Sequence, residues 1–284
     1  MGRQGLDLSA LPEDCIENVL LLTGPRDTCR LSIISSRFMS AVKSNVVWQK
    51  YLPPDYRSII ARSTDPSMLT RFSSLKDLYF SLCDNPILID DVKLSFSLDK
   101  STGKKCYMIS ARNLVISWGD THRYCKWSSE PECRFGEAAE LISVCWLEIR
   151  CKISASLLSP ATFYSVYLVF QLTTKTYGFD DQPLDVSMGL AGVESPTLSV
   201  YLDAGKGYQT GRRRIRLVSG RYMSGMHPRE RKDGWFEIEL GEFYNKKGEE
   251  RELEMSVLEI KVHFGKRRLI VQGIEIRVRI LCLS

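Results

Sequence analysis

The chain has 284 residues, of which 44% are hydrophobic and 26% charged, and its formal net charge is +5. That composition predicts a folded protein with enough apolar material for a core, and it excludes a disordered chain. No stretch approaches the roughly 20 apolar residues of a membrane span, and acids interrupt the apolar run that a signal peptide needs, at Asp7, Glu13 and Asp14. We therefore expect a protein that is neither secreted nor embedded in a membrane.

The cysteines and asparagines favour a reducing compartment. The nine cysteines show no regular disulfide spacing, and no Asn begins a glycosylation sequon. We expect the protein in the cytoplasm, the nucleus or both. Cys125 and Cys133, with His122 nearby, come nearest to a set of metal ligands, but no Cys-x2-Cys half-site completes a zinc site. The sequence predicts no metal and no cofactor.

The first part of the chain carries apolar residues at the period of an amphipathic helix. Ile16, Val19 and Leu20 lie at i, i+3 and i+4, which predicts a helix that begins near Pro12. Pro25 suits the first turn of a second helix. The pattern continues with Leu31 and Ile34, then with Phe38 and Val42 in a third helix, and with residues 46–51 in a last turn or two before Pro53 and Pro54.

This predicted helical module, residues 1–53, is too small to bury a self-sufficient core. We expect its remaining apolar surface to need a partner, since a large exposed apolar patch marks an interaction site. The module is typical of a docking element and not of a catalyst.

Residues 54–105 have the composition of a connector. They include prolines at 54, 66 and 86 among many Ser, Thr and Asp residues. We expect a semi-rigid linker here, with one short helix near residues 75–82.

Beyond the linker, the apolar period changes to two, which predicts strands. The alternation is clearest at Tyr164, Val166, Leu168, Phe170 and Leu172. No long helical stretch separates the runs, so we expect antiparallel sheets packed as a sandwich over residues 106–284. The five runs are residues 145–153, 164–172, 236–240, 258–264 and 274–280.

Catalytic motifs are absent from the sequence. The histidines lie outside any Gly-x-Ser-x-Gly or His-Glu-x-x-His motif. Gly205, Gly207 and Gly211 come close to a dinucleotide-binding loop, but the last spacing is one residue too long and the surroundings are not βαβ. We expect a protein that is not an enzyme.

Residues 206–232 have the strongest charge asymmetry in the sequence, with nine Lys and Arg residues and a single acid, Glu230. The basic run at residues 212–216 has three interpretations: a nuclear import signal, a patch for an acidic target or nucleic acid, or a solvated basic loop. Nucleic acid is the least favoured partner, because only Tyr208 and Tyr222 offer rings for base stacking.

Ordered motifs over nearly the whole chain carry a family resemblance. Segments 11–16 (LPEDCI), 25–27 (PRD) and 37–38 (RF), followed by Trp48, resemble an F-box. Segment 80–90 (FSLCDNPILID) resembles the linker of plant F-box proteins with a phloem protein 2 domain. The same family's pattern continues at residues 114–120, 144–148, 233–235, 239–243 and 255–260. The resemblance implies an α+β multidomain fold, in which a small all-helical F-box precedes an antiparallel β-sandwich lectin-like domain.

What the F-box resemblance implies is a substrate receptor of an SCF-type ubiquitin ligase, which holds the SCF adaptor protein and, through it, the cullin. The family pattern assigns adaptor contact to residues within one helical surface: Leu11, Pro12, Ile16, Leu20, Leu31, Ile34 and Trp48. For some apolar residues of the module, such as Val19, Phe38 and Val42, packing within the module's own three-helix core is as well supported as contact with a partner.

The second domain resembles a lectin related to the tobacco agglutinin, which implies a target that is a protein or an N-acetylglucosamine-containing glycoprotein. Two tryptophans are thought to hold the sugar in that lectin, and they align with Trp118 and with Cys125, which is not aromatic. Trp127 is a candidate substitute, and an acidic contact aligns with Glu252. Cys125→Trp is then expected to raise glycan affinity. A carbohydrate-binding lectin that acts in stress or defence, independently of ubiquitination, is the alternative function.

Overall fold

The computed structural model describes residues 11–179, 183–202, 227–260 and 265–279. The basic run at 212–216 lies outside these residues. The chain divides into two compact units, and each is treated by itself. The helical unit contains residues 11–91 and 96–106, and the sandwich unit contains residues 92–95 and the chain from residue 107 onward.

Four short helices open the helical unit, in agreement with the helical pattern of the sequence: α1 (Glu13–Leu21), α2 (Pro25–Leu31), α3 (Ser36–Ala41) and α4 (Asn45–Tyr51). Serine hydroxyls cap two of them, because Ser35 Oγ accepts a hydrogen bond from Phe38 N and Ser44 Oγ accepts one from Val46 N. Pro25 occupies the first turn of α2, where a missing N–H costs nothing.

Residues 54–105 contain the short helix expected near residues 75–82, but they hold more regular structure than the predicted linker. They form α5 (Tyr56–Ala61), α6 (Met68–Arg71), α7 (Leu75–Asp84) and β1 (Ile87–Ile89), and they continue into a hairpin of β2 (Leu94–Leu98) and β3 (Lys105–Ser110). Tyr56, Ile59 and Ile60 are buried at helical spacing. The prolines before α5 precede the start of a helix, where proline is tolerated.

An aromatic cluster forms the core of the helical unit. The ring of Trp48 lies 5.6 Å from Tyr51, 5.1 Å from Tyr79 and 5.3 Å from Phe80, measured between centroids. Trp48 Nε1 donates a hydrogen bond to Val42 O at 2.6 Å. The α7 helix, which lies in the segment expected to be a linker, therefore completes the core of the N-terminal module.

The hydroxyl of Tyr51 connects α4 to α1 and α2. It donates to Leu20 O at 2.8 Å and lies 2.6 Å from Thr28 Oγ1. Gly103 packs directly on this residue: its φ is +70°, and a Cβ there would lie 2.5 Å from Tyr51 O. Only glycine fits this position without displacing backbone.

Two antiparallel sheets make up the sandwich unit. One sheet has the order β10-β9-β13-β7-β4, and the other contains β3-β14-β8-β12-β11, with β6 pairing both β14 and β5. The sheets meet where Met188 packs against Gly241, since a Cβ on Gly241 would lie 2.6 Å from Met188 Cγ. The strands from β4 onward are β4 (Val115–Ile116), β5 (Cys125–Ser128), β6 (Ala138–Leu141), β7 (Leu147–Ser154), β8 (Thr162–Tyr177), β9 (Leu184–Leu190), β10 (Thr197–Val200), β11 (Arg229–Glu230), β12 (Phe236–Asn245), β13 (Glu252–Glu259) and β14 (Arg267–Val278).

Four of the five predicted strand runs fall on β7, β8, β12 and β14. The run expected at 258–264 is displaced: β13 ends at Glu259, Ile260 is exposed, and residues 261–264 lie outside the described part of the chain. The alternation of acids with Leu253 and Met255 marks the true strand, which places Glu252 and Glu254 on the solvent face.

A buried ionic network holds two loops against the outward face of the β14-containing sheet. Glu275 accepts from Arg134 Nη1 at 2.9 Å and from Arg231 Nη1 at 2.6 Å. Glu237 accepts two hydrogen bonds from Arg277, at 2.7 and 2.6 Å. Burial alone would raise the pKa of Glu275, but the guanidiniums of Arg134 and Arg231 hold that pKa below its usual value.

Glu275→Gln is expected to lower the free energy of unfolding by about 3 kcal/mol, because it removes the carboxylate that pairs with Arg134 and one of the three carboxylates that pair with Arg231. Because the folded-state pKa is depressed, the carboxylate's contribution is present above its unfolded pKa and is lost as the pH falls through the folded value. Urea unfolding at pH 7 and at acid pH, followed by tryptophan fluorescence, measures both effects. The control Glu137→Gln removes a half-exposed ion pair and should change stability by less than about 1 kcal/mol.

Candidate functional site

Exposed apolar side chains are concentrated in the N-terminal helical block. Twelve large apolar side chains are exposed among the described residues, and six of them lie between residues 19 and 46. Leu22 and Ile33 are 87% and 86% exposed, respectively. We call these six the exposed apolar set: Val19, Leu22, Ile33, Ile34, Met39 and Val46.

The structure separates the seven predicted adaptor contacts into two groups. Ile16, Leu20 and Trp48 are fully buried in the core, so they support the surface from beneath and do not form it. The other four reach solvent: Pro12 and Ile34 are exposed, and Leu11 and Leu31 are half-buried. The main chain of Leu11 is held in place by Arg37, whose Nη1 donates to Leu11 O at 3.2 Å.

Sequence reasoning missed Leu22, Ile33, Met39 and Val46. One signal was available for two of them, since three consecutive leucines, 20–22, and the adjacent Ile33 and Ile34 cannot all face one core. In the first group Leu20 is the buried residue, and in the second group both isoleucines are exposed.

In the sandwich unit, Trp118 lies in a small aromatic cluster. It is 41% exposed and has a φ of +67°, which is unfavourable for a bulky residue. Its ring centroid lies 5.2 Å from Tyr124 and 5.2 Å from Trp146. Strained backbone of this kind is concentrated at binding sites, so the partly open ring of Trp118 is a candidate stacking platform.

The other predicted sugar contacts do not join this cluster. Cys125 is 1% exposed on β5, and burial raises the pKa of its thiol to about 11. Trp127 is covered by the guanidinium of Arg112, which lies 3.7 Å from the ring centroid. Arg112 also pairs with Glu137 at 2.7 Å. The ring of Trp127 is therefore already stacked by a residue of its own domain.

Glu252 lies at the opposite end of β7 from Trp118. It pairs with Ser154, whereas the turn that carries Trp118 bonds to Glu148 through the adjacent Ser117 N, at 3.0 Å. Glu148 and Ser154 are six positions apart along an extended strand, about 20 Å. Glu252 and Trp118 therefore do not form one small site.

Two further expectations concern metals and membranes. In the described ranges, no group of three His, Cys, Asp or Glu side chains is placed to hold a metal ion. No helix among the described residues is both long and apolar enough to cross a membrane.

Comparison with known proteins agrees with these two units. The sequence matches the F-box domain over residues 8–50 and phloem protein 2 over residues 104–278, which is more than half of the chain. The chain belongs to the F-box proteins with a phloem protein 2 (PP2) domain. This combination fits a substrate adaptor of an SCF ligase, and both domains are binding modules.

Relatives of this F-box–PP2 protein match it over most of their length. An F-box protein of Arabidopsis thaliana is 48% identical over 269 residues, covering 94% of this chain and 79% of that protein. F-box protein PP2-B10 of the same plant is 45% identical over 271 residues, covering 94% and 93%. A mannanase structure from Podospora anserina aligns with a TM-score of 0.33 at 8% identity, over 62% of this chain and 28% of that chain, which is too loose to support any conclusion.

The burial of Cys125 reverses the expectation that tryptophan at this position would improve glycan binding. Cys125→Trp would place an indole in a closed interior, so we expect it to destabilise the domain by about 1–3 kcal/mol without raising glycan affinity. Urea unfolding and a glycan array measure the two effects. Lys126→Trp, at the exposed neighbouring position, is the control and should leave stability within about 0.5 kcal/mol. A Cys125→Trp protein with full stability and stronger glycan binding would contradict this assignment.

Proposed function

We propose that this protein is the substrate-recognition subunit of an SCF-type cullin-RING ubiquitin ligase. The F-box docks the adaptor and, through it, the cullin, and the PP2 domain selects a protein or glycoprotein target. The observation that carries the proposal is the exposed apolar set, together with the match to the F-box family. Ubiquitin transfer then occurs on other subunits, in the cytoplasm or the nucleus.

The physical argument for docking rests on where the open apolar surface lies. Ile16, Leu20 and Trp48 already fill the core of the unit, so burying them contributes nothing further to binding. Leu22 and Ile33 are still in contact with water, and covering each contributes about 1.5–3 kcal/mol. A few such anchors dominate the energy of an interface.

A second candidate function is that of a carbohydrate-binding lectin acting independently of ubiquitination. Its support is the partly exposed ring of Trp118 in a strained turn beside Tyr124 and Trp146. A pyranose can stack its apolar face on such a ring. The two functions are compatible if the selected target is a glycoprotein.

Leu22→Asp combined with Ile33→Asp is expected to weaken adaptor capture at least tenfold, because charged groups replace two apolar anchors, and 1.4 kcal/mol already corresponds to a factor of ten. Pull-down of the purified plant SCF adaptor by the full-length chain measures the effect. Leu11→Ala with Pro12→Ala, at the start of α1, is expected to abolish capture as well.

The matched control for these variants is Ile260→Asp in the PP2 domain, where an exposed apolar residue is also replaced by an acid. It should leave capture unchanged. Circular dichroism verifies that each variant is folded. Undiminished capture by folded Leu22→Asp/Ile33→Asp protein would refute the docking surface.

Trp118→Ala is expected to remove binding to N-acetylglucosamine oligomers on a glycan array, since the exposed ring is lost. Trp127→Ala is the comparison, because that ring is stacked by Arg112 and should not contribute. Equal glycan signals for wild type and Trp118→Ala would show that sugars do not bind at this turn.

A further inference from the structure

A cleft of about 530 Å³ lies on the outward face of the sheet that contains β4, β7, β13 and β9. This volume is in the range of ligand-binding clefts. Trp118, Trp127 and Glu252 do not line it. The cleft is therefore built from other residues than those that the lectin resemblance indicates, and Glu252 borders it, with Oε2 3.8 Å from Nζ of the lining residue Lys152.

Small residues make the floor of the cleft. Ser256 pairs with Ser187 across β13 and β9, and their hydroxyl oxygens lie 2.8 Å apart. In the next row, Glu254 pairs with Gly189, and a Cβ on Gly189 would lie 1.9 Å from Ser195 Oγ. A side chain at position 189 would therefore require Ser195, in the turn that follows β9, to move. The outward face is recessed at these residues, because they lack the long side chains that solvent-facing strands usually carry.

Two valines stand at opposite sides of this floor. Val115 of the edge strand β4 is 69% exposed, and Val193 of the turn after β9 is 52% exposed. Three inter-strand spacings, about 14 Å, separate β4 from β9. That width accommodates one extended chain with side chains on both sides.

The charged groups on the strands between the two valines are already neutralised in pairs. Arg150 Nε lies 2.6 Å from Glu148 Oε1, and Lys152 Nζ lies 2.6 Å from Glu254 Oε1. A strongly charged ligand would have to compete with these pairs, whereas an uncharged ligand with both donors and acceptors would not. The lining is thus complementary to a neutral polar ligand with apolar substituents.

We propose that this cleft binds an extended, uncharged peptide segment of the target, an inference that rests on the proposed role as a substrate receptor. Peptide N–H and C=O groups supply alternating donors and acceptors for the serine hydroxyls and for the paired charged side chains. Alternate side chains reach the two valines, since successive residues of an extended chain point to opposite sides. The lining contains no aromatic side chain, so a pyranose would have no ring on which to stack.

The test is an array of random seven-residue peptides, probed with the full-length protein. We expect selected uncharged peptides to bind at least tenfold more weakly to Ser256→Leu, in which a leucine fills the floor. Val115→Asp, at the exposed edge, should weaken the same peptides. Ser199→Leu is the matched control, because it places leucine on the same sheet outside the cleft, and it should bind like wild type.

Three results would overturn the cleft assignment: no selected peptides, equal binding to Ser256→Leu and wild type, or selected peptides that are uniformly acidic or basic. Loss of N-acetylglucosamine oligomer binding in Ser256→Leu, with no peptide ligand, would also overturn it by making the cleft a glycan site. Adaptor capture on the same preparations separates the two proposals. Intact capture without peptide binding rejects the cleft alone, and peptide binding without capture rejects the receptor role alone.

Discussion

The packing of Trp48 against Tyr79 and Phe80 determines which apolar surface of the N-terminal block remains open. A block of four short helices cannot enclose its own core, so one side must be covered by something else. The α7 helix covers that side within the same unit. This packing does not cover every apolar side chain, and Leu22 and Ile33, for example, remain exposed to solvent. The F-box is thus stabilised from one side and available for docking elsewhere.

The two outward faces of the sandwich are used differently. On the β14-containing sheet, buried arginines and glutamates hold loops against the strands, and these pairs are costly to break. On the other sheet, the ion pairs of Arg150 with Glu148 and of Lys152 with Glu254 are about half exposed and contribute little to stability. The small residues Ser187, Gly189 and Ser256 leave that face recessed. Loops therefore cover the outward face of the β14-containing sheet, whereas the outward face of the other sheet carries an open cleft.

Glycan binding by this domain depends on two positions, residue 118 in a turn and residue 125 in β5. Trp118 is held open at a positive φ, whereas Cys125 points into the interior of the domain. A sugar site in this protein would depend on Trp118 and its aromatic neighbours, without a second ring at position 125. A glycan site at Trp118 and a peptide site in the cleft, both proposed above, would suit a receptor that recognises glycoprotein or protein targets.

Local periodicity and ordered motifs were enough to predict the first four helices, α7, the strands β7, β8, β12 and β14, and the family. Periodicity also identified Ile16 and Leu20 as residues of one helical face, but it could not tell whether that face meets a partner or the chain's own core. The three-dimensional structure was needed to show that Trp48 is buried by α7, that Arg112 covers Trp127, and that Glu252 lies far from Trp118. These outcomes depend on contacts between residues distant in sequence, and a local pattern records which side chains share a face but not what packs against it.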